Sequence, residues 1–188
     1  PSPLRKERKS GFLSPTISLN FFDTKTSQST GFPYYFNISK DKELTFTPIV
    51  NYGAGVDSSQ RFIFDYNQII SGGNLSMDLT FDSNFENQNN NKWLSDANLI
   101  TNYKKNINEN YKISIDSAVQ TSMNYIQITN PNDDLSYKNS LSTKINLQGY
   151  NLRKFDDYLQ ISSNFYQINQ KNEDNKTTPY VLPSIKYY

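Results

Sequence analysis

The chain has 188 residues, with 19 Lys and Arg against 18 Asp and Glu, and it contains neither Cys nor His. Its length allows one domain or a piece of a larger one, and its net charge of +1 argues against electrostatic binding to nucleic acid. The missing residue types exclude disulfides, thiol nucleophiles, Ser-His-Asp triads and zinc sites built from Cys or His. We therefore expect no catalytic residues, no metal and no cofactor.

Alternation of apolar and polar residues with a period of two is the dominant pattern of the chain. Every odd-numbered residue from 75 to 82 is apolar and every even-numbered one is polar. Because successive side chains of a strand point to opposite faces, each such segment has one apolar and one polar face. No stretch shows a 3.6-residue stripe, so we expect an all-β fold with essentially no helix. The predicted strands cover 11–20, 32–39, 43–52, 60–68, 74–82, 93–103, 111–121, 136–148, 156–168 and 180–188.

The predicted connections alternate between long and short. The long or loop-like ones cover 21–31, 53–59, 83–92, 122–135 and 169–179. The shorter ones cover 40–42, 69–73, 104–110 and 149–155. Outer-membrane barrels have this asymmetry, with short periplasmic turns and longer extracellular loops, and many predicted strands have the roughly 9–11 residues of a tilted membrane strand. The pattern favours an antiparallel up-and-down sheet that forms part of a large outer-membrane β-barrel; the alternative is a soluble antiparallel sheet with one face on a core.

Prolines interrupt the first three predicted strands, at Pro15, Pro33 and Pro48. Proline has no N–H to donate to a β-ladder, and each missing hydrogen bond weakens pairing by about 1 kcal/mol. The start of the sheet is therefore expected to be weakly paired, so that in a closed barrel the first and last strands would meet at a weak seam. The alternative is that these prolines only protect a sheet edge from aggregation.

Three motifs resemble the LPS-assembly protein LptD family, also called organic solvent tolerance protein. They are RKSGFLSP at 8–15, GFPYYFNI at 31–38 and LTFTP at 44–48. They are similar to the R-x-SGFL-x-P, PYY-x-N-I-A and D-x-T-x-TP strands with which the barrel domain of that family begins. Ser39 and Lys40 stand where the family usually has Ala and Pro. The resemblance is specific over about the first 50 residues and continues mainly as a rhythm of strands.

The resemblance implies that residues 1–188 are the N-terminal portion of a transmembrane β-barrel of about ten strands, with an upstream jelly roll and the final strands outside this chain. It implies a non-enzymatic function in the Gram-negative cell outer membrane, the translocation of lipopolysaccharide (LPS) and its insertion into the outer leaflet. In that family, prolines of the first two strands loosen a lateral gate, and they map onto Pro15 and Pro33. The implied partners are LPS, an LptE-like plug lipoprotein and an LptA-like periplasmic bridge.

Other polar and aromatic residues have two interpretations each. Four basic residues precede the first strand and are expected either to contact LPS phosphates or to form a solvated linker: Arg5, Lys6, Arg8 and Lys9. Five carboxylates on polar faces are expected to hydrate a barrel interior: Asp65, Asp78, Asp82, Asp96 and Asp116. Six tyrosines near predicted strand ends are expected to form interfacial girdles or to pack across strands: Tyr34, Tyr35, Tyr103, Tyr111, Tyr187 and Tyr188.

Two further functions compete with LPS transport. A passive porin or receptor barrel would conduct ions, and its prolines would be incidental. A soluble β-rich module that binds glycans, such as an adhesin, would remain in the aqueous phase without detergent.

Overall fold

The structure is a computed structural model that describes residues 8–22, 25–53, 59–84, 96–122, 125–129, 133–153, 156–169 and 180–188. These residues form twelve strands: β1 Gly11–Phe12, β2 Thr16–Phe22, β3 Lys25–Gly31, β4 Tyr34–Ser39, β5 Lys42–Gly53, β6 Ser59–Ile70, β7 Gly73–Asn84, β8 Asp96–Asn106, β9 Tyr111–Gln120, β10 Ser140–Tyr150, β11 Tyr158–Ile168 and β12 Tyr180–Tyr187. A short helix, α1 (Tyr125–Thr129), and a 3₁₀ turn (Asp134–Tyr137) lie between β9 and β10.

All twelve strands belong to one antiparallel sheet. From β5 to β12 each strand pairs with the next one in sequence, so the up-and-down order predicted from the alternation is confirmed. At the other end, β4 and β3 pair with different parts of β5, and they pair in turn with β1 and β2. The sheet is open: in the part of the chain that the structure describes, β12 pairs with neither β1 nor β2.

The pairing register divides the side chains into two faces of opposite character. On the apolar face, one row of directly opposed residues crosses β5 to β9 and consists of Phe46, Phe64, Leu79, Leu99 and Val119. On the polar face, one row crosses β6 to β11 and consists of Asn67, Ser76, Asn102, Asp116, Lys144 and Asn164. The period-two alternation therefore adds up across strands to two continuous surfaces.

The apolar face is left uncovered by the described residues. Phe12 is 79% exposed, Ile17 66% and Ile185 69%, although all three lie on this face. The buried hydrophobic residues among those described are only Ala118, Tyr125, Ile126 and Leu141. No second sheet packs on the first one within the described ranges, and none of the helices there is long and apolar enough to span a membrane.

The turn between β6 and β7 shows how glycine fixes one end of the sheet. Gly72 has a φ of +78°, which favours glycine, and a Cβ on Gly73 would lie 1.9 Å from the carbonyl oxygen of Lys104 on β8. The tight hairpin predicted at 71–74 is thus confirmed. The connections at this end of the sheet cover 40–41, 71–72, 107–110 and 151–157, and those at the opposite end of β5 to β12 cover 54–58, 85–95, 121–139 and 169–179. The predicted alternation of connection length holds for these eight.

Three expectations were wrong in part. The segment 11–20 is not one strand, because β1 ends at Phe12 and β2 begins at Thr16. The segment 21–31 is not a long connection: β2 continues to Phe22, and β3 forms from Lys25 although it has no apolar residue, because β2 and β5 pair with it on both sides. The predicted strand 136–148 begins only at Ser140, because the 3₁₀ turn Asp134–Tyr137 precedes it; with the five residues of α1, this turn is the only helix among the described residues of an otherwise all-β fold.

Candidate functional site

The first two long strands of the sheet are each broken at a proline. β1 and β2 follow one path, and residues 13–15, which include Pro15, separate them. β3 and β4 follow a second path, and both keep the same register against β5 on either side of Phe32 and Pro33. Pro15 and Pro33 therefore lie between strand segments. Pro48 lies within β5, directly opposite the second break.

Hydrogen bonds at the breaks are single where a regular ladder has two. Leu13 donates its N–H to the carbonyl of Pro33 at 2.9 Å, and Phe32 donates its N–H to the carbonyl of Pro48 at 3.0 Å. Two facing residues of an antiparallel ladder normally exchange two such bonds in a hydrogen-bonded pair. Pro33 and Pro48 have no N–H for the second bond, so both pairs are held by one bond only.

The break at Pro15 also contains a β-bulge. Gly11 and Thr16 are five residues apart, whereas their partners Tyr35 and Gly31 are four residues apart. The outer path therefore has one extra residue between β1 and β2, which disrupts the ladder and bends the strand. The missing N–H donors of the prolines and the extra residue of the bulge thus lie at the same position along the strands.

Side chains hold the edge together at the end with the short connections. The guanidinium of Arg8 and the hydroxyl of Tyr35 both donate to Oε2 of Glu43, at 2.5 and 2.9 Å. Asn37 donates its backbone N–H to Oγ of Ser10 at 2.8 Å and its side-chain amide to the carbonyl of Arg8 at 2.6 Å. We call Arg8, Ser10, Tyr35, Asn37 and Glu43 the edge clasp. These bonds thus hold the edge together between its proline breaks and the end of the sheet with the short connections.

The four basic residues before the first strand, for which LPS phosphate contact and a solvated linker were both considered, lie only partly within the described residues. Arg8 is engaged with Glu43, and Lys9 is exposed. Arg5 and Lys6 lie outside the described residues. Contact of this cluster with LPS phosphates stays a prediction.

The five aspartates singled out from the alternation all lie on the polar face. Asp65 and Asp78 oppose each other directly on β6 and β7. Asp82 accepts two hydrogen bonds from its neighbour Arg61, at 2.8 and 3.0 Å, and their side chains are 16% and 18% exposed. Asp82 therefore forms a largely buried, bidentate ion pair, beyond the hydrating role expected of it.

Part of the connection between β9 and β10 covers the polar face beside this ion pair. Tyr125 of α1 is only 3% exposed and lies next to Arg61 and Asp82; burial and the charge of Asp82 raise the pKa of its hydroxyl. Ile126 of α1 packs with Ala118 of β9 and with Leu141. This is the one hydrophobic cluster that the described residues bury, and the alternation did not predict it. Apolar residues such as Tyr125, Ile126 and Leu135 inside an otherwise polar connection were the available signal.

Five of the six predicted tyrosines divide into two groups, and the sixth, Tyr188, stacks on Tyr158 across the strands with ring centroids 6.2 Å apart. Tyr103, Tyr111 and Tyr187 lie on the apolar face near the short connections, where an interfacial girdle would be expected. Tyr34 and Tyr35 lie on opposite faces beside the second proline break. Tyr34 packs against Phe12 and Phe36, with ring centroids 4.9 and 4.6 Å apart, which is cross-strand and same-strand packing.

Comparison with known proteins finds several relatives named LPS-assembly protein LptD. The chain is 29% identical over 131 residues to the LPS-assembly protein LptD of Hahella chejuensis, which covers 68% of this chain and 16% of that protein. It is 27% identical over 125 residues to LptD of Ralstonia nicotianae, covering 63% of this chain and 15% of that protein. It is 43% identical over 67 residues to LptD of Paraburkholderia xenovorans, covering 32% of this chain and 8% of that protein.

These matches span a minor part of each relative, and no family model matches the chain. The similarity to LptD nevertheless recurs in several species, and it extends beyond the first 50 residues that carry the motifs. The resemblance predicted from the strand motifs is therefore confirmed, and the chain is a segment related to LPS-assembly protein LptD.

Proposed function

We propose that this chain is the N-terminal portion of a transmembrane β-barrel that inserts LPS into the outer leaflet of the outer membrane, without catalysis, through a lateral gate at Pro15 and Pro33. The observation that carries the proposal is the single sheet with one uncovered apolar face and one polar face. The relation to LptD supports LPS as the cargo.

The apolar face supports a membrane location. Transfer of apolar surface out of water is favourable by about 25 cal/mol per Å². Phe12, Ile17 and Ile185 are more than half exposed on this face, and an uncovered apolar surface of this extent marks an interaction or membrane site. Acyl chains of the bilayer would cover it, as they cover the outer surface of a β-barrel.

The polar face supports passage of the sugar part of LPS. Apart from its aspartates and lysines, it is lined mainly by amides and hydroxyls, as in the row through Asn67, Ser76 and Asn102. Such groups both donate and accept hydrogen bonds, as sugar hydroxyls do. A barrel large enough for this passage has a wide interior, with room for the proposed LptE-like plug. The LptA-like bridge is proposed from the resemblance to LptD alone.

The broken edge supports a gate. In a closed barrel, the path formed by β1 and β2 would pair with the last strand. The single bonds at Pro33 and Pro48 lie behind this seam, between the first and second paths and between the second path and β5. Together with the break and the bulge they leave the edge weakly held, so that it can move away from the last strand and let an acyl chain pass. The edge clasp would keep this end of the edge attached to β4 and β5 while the rest of the edge moves.

The test is to replace Pro15 and Pro33 by Val in the complete protein and to measure the rate at which LPS reaches the cell surface. Valine restores both N–H donors and suits a strand, so we expect slower delivery. Pro183→Val is the matched control, because Pro183 lies in β12 at the opposite edge of the sheet. Unchanged delivery by the correctly inserted double variant would contradict the gate.

The same preparation separates the competing functions. A porin or receptor would conduct ions, and its LPS delivery would not depend on the prolines. A soluble glycan-binding module would remain in the aqueous phase without detergent, which would contradict the membrane location itself.

A further inference from the structure

The polar face ends in a row of tyrosines beside the short connections. Tyr150 of β10 lies directly opposite Tyr158 of β11, and Tyr158 exchanges two backbone hydrogen bonds with Tyr188, at 3.2 and 3.0 Å. The ring centroids of Tyr150 and Tyr158 are 5.2 Å apart, and those of Tyr158 and Tyr188 are 6.2 Å apart. Because Tyr150 is 41% exposed and Tyr188 72%, this tyrosine row presents open ring surface.

The next two rows of directly opposed residues on this face carry lysines and no carboxylate. The row beside the tyrosines consists of Asn106, Lys112, Gln148, Gln160 and Lys186. The following row crosses β7 to β12, and its one charged residue is Lys104. Glu109 and Asp156 lie in the adjoining turns, beyond these rows. The three lysines are exposed and form no ion pair with the described residues.

Farther along the polar face the charge changes sign. Asp65 opposes Asp78, and Asp82 opposes Asp96. Among the described residues, Arg61 is the one basic residue in the rows through these aspartates, and it pairs with Asp82. The polar face is therefore positive near the short connections and negative toward the long ones, so an anion is attracted to the end that has the tyrosine row.

Hydrogen bonds join the rings to the two amides beside them. The hydroxyl of Tyr150 donates to Oε1 of Gln148 at 3.3 Å, and Gln148 donates its amide to the hydroxyl of Tyr158 at 3.2 Å. That hydroxyl donates in turn to Oε1 of Gln160 at 3.3 Å. A side-chain amide can form about four hydrogen bonds, so both glutamines are held in place and can still bind a ligand.

We propose that the tyrosine row and the row beside it form a binding site for a sugar that carries a phosphate or carboxylate group. The proposal rests on the proposed function, in which the polar face is the inner wall of a barrel and the short connections lie at its periplasmic end. At that end the site would bind an anionic sugar of LPS before the sugar moves along the wall.

Each part of the site matches one part of such a ligand. The face of an aromatic ring is electron-rich, so it attracts the C–H groups on the flat side of a sugar ring. The amides of Gln148 and Gln160 match sugar hydroxyls, which both donate and accept hydrogen bonds. Lys112 and Lys186 end the same row, three strand spacings of about 4.8 Å apart, and their ammonium groups suit a phosphate or carboxylate.

The experiment measures binding of two probes, glucose 1-phosphate and glucose, to the complete protein with its plug in detergent, by saturation-transfer NMR. We expect glucose 1-phosphate to bind more tightly than glucose, and added salt to reduce the difference. The variant with Lys112→Gln and Lys186→Gln should bind glucose 1-phosphate about fivefold more weakly and glucose as the parent does. Tyr188→Leu should weaken binding of both probes about threefold.

Matched controls lie on the same face but farther from the short connections. Lys144→Gln and Tyr166→Leu change a lysine of β10 and a tyrosine of β11, and we expect both variants to bind the probes as the parent does. The residues replaced in the test variants, Lys112, Lys186 and Tyr188, are all exposed, so their replacement should leave folding and insertion intact.

Two binding results would overturn the site: a parent protein that binds neither probe, as when the plug covers these rows, and test variants that bind both probes as the parent does. LPS delivery identifies the source of the sugar, and we expect the test variants to slow it about twofold. Normal delivery by variants that have lost sugar binding would overturn the assignment to LPS. A parent protein that delivers no LPS contradicts the proposed function instead.

Discussion

The N-terminal edge of this sheet and its middle strands differ in how completely their backbones pair. β6 and β7 are paired over their whole length, from Ser59 opposite Asn84 to Ile70 opposite Gly73. β1 and β4 pair at two positions only, Gly11 with Tyr35 and Phe12 with Tyr34. The alternation decides which face is apolar, whereas prolines and a bulge decide where the ladder is weak. One sequence pattern can therefore carry both a stable wall and a weak seam.

The largest effect is expected away from the weak edge, at Asn169, which follows β11. Asn169→Ala leaves the carbonyls of Leu135 and Lys138 and the amide of Gln120 without their buried partner, which should cost about 3 kcal/mol of local stability. Backbone amides at 125–129 and 133–137 should then exchange hydrogen about 100-fold faster in the complete protein. Asn164→Ala, within the strand β11 that Asn169 follows, is the control, and equal exchange in both variants would contradict the role of these hydrogen bonds.

An intermediate effect is expected at the ion pair beside α1. Asp82→Asn leaves the largely buried guanidinium of Arg61 without a charged partner, and we expect a loss of about 2 kcal/mol, seen as earlier unfolding in urea. Asp116→Asn is the matched control, because Asp116 lies on the same face and forms no ion pair with the described residues. If the two variants unfold together, the ion pair does not stabilise this region.

The smallest effect is expected at the edge clasp. Glu43→Gln removes the charge that Arg8 contacts, but Arg8 is largely exposed, so the loss should be below about 1 kcal/mol. The change should appear as slightly faster hydrogen exchange in β1 and β4 and should shrink at high salt. Exchange that does not respond to salt would mean that the charge of Glu43 contributes nothing to the clasp.

The sequence was sufficient for those parts of the fold that depend on local pattern. The paired strands β5 to β9 lie within a few residues of their predicted positions, because apolar and polar residues alternate along them. β3 was missed since Lys25–Gly31 has no apolar residue, and its pairing comes from neighbours on both sides. The prolines predicted weak pairing, but the bulge and the Arg8–Glu43 contact depend on register, which no local pattern encodes.

The covered polar face shows the same limit more strongly. Gln120 and Asn169 are 49 residues apart in sequence and look like ordinary polar residues at the ends of strands. Their burial depends on a connection that folds back over the sheet. Such a contact is specified by tertiary packing, so alternation along a single strand could not reveal it.

The most direct test of the weak seam compares hydrogen exchange at the N-terminal edge of the sheet with that of its middle strands, in the complete, membrane-inserted protein. We expect amides of β2 and β3 to exchange faster than those of β6 and β7, because the first pair adjoins the proline breaks. Pro33→Val should slow exchange at Leu13 and its neighbours by about fivefold, since it restores one hydrogen bond of about 1 kcal/mol. Equal exchange of the edge strands and the middle strands, with no effect of Pro33→Val, would contradict the weak seam.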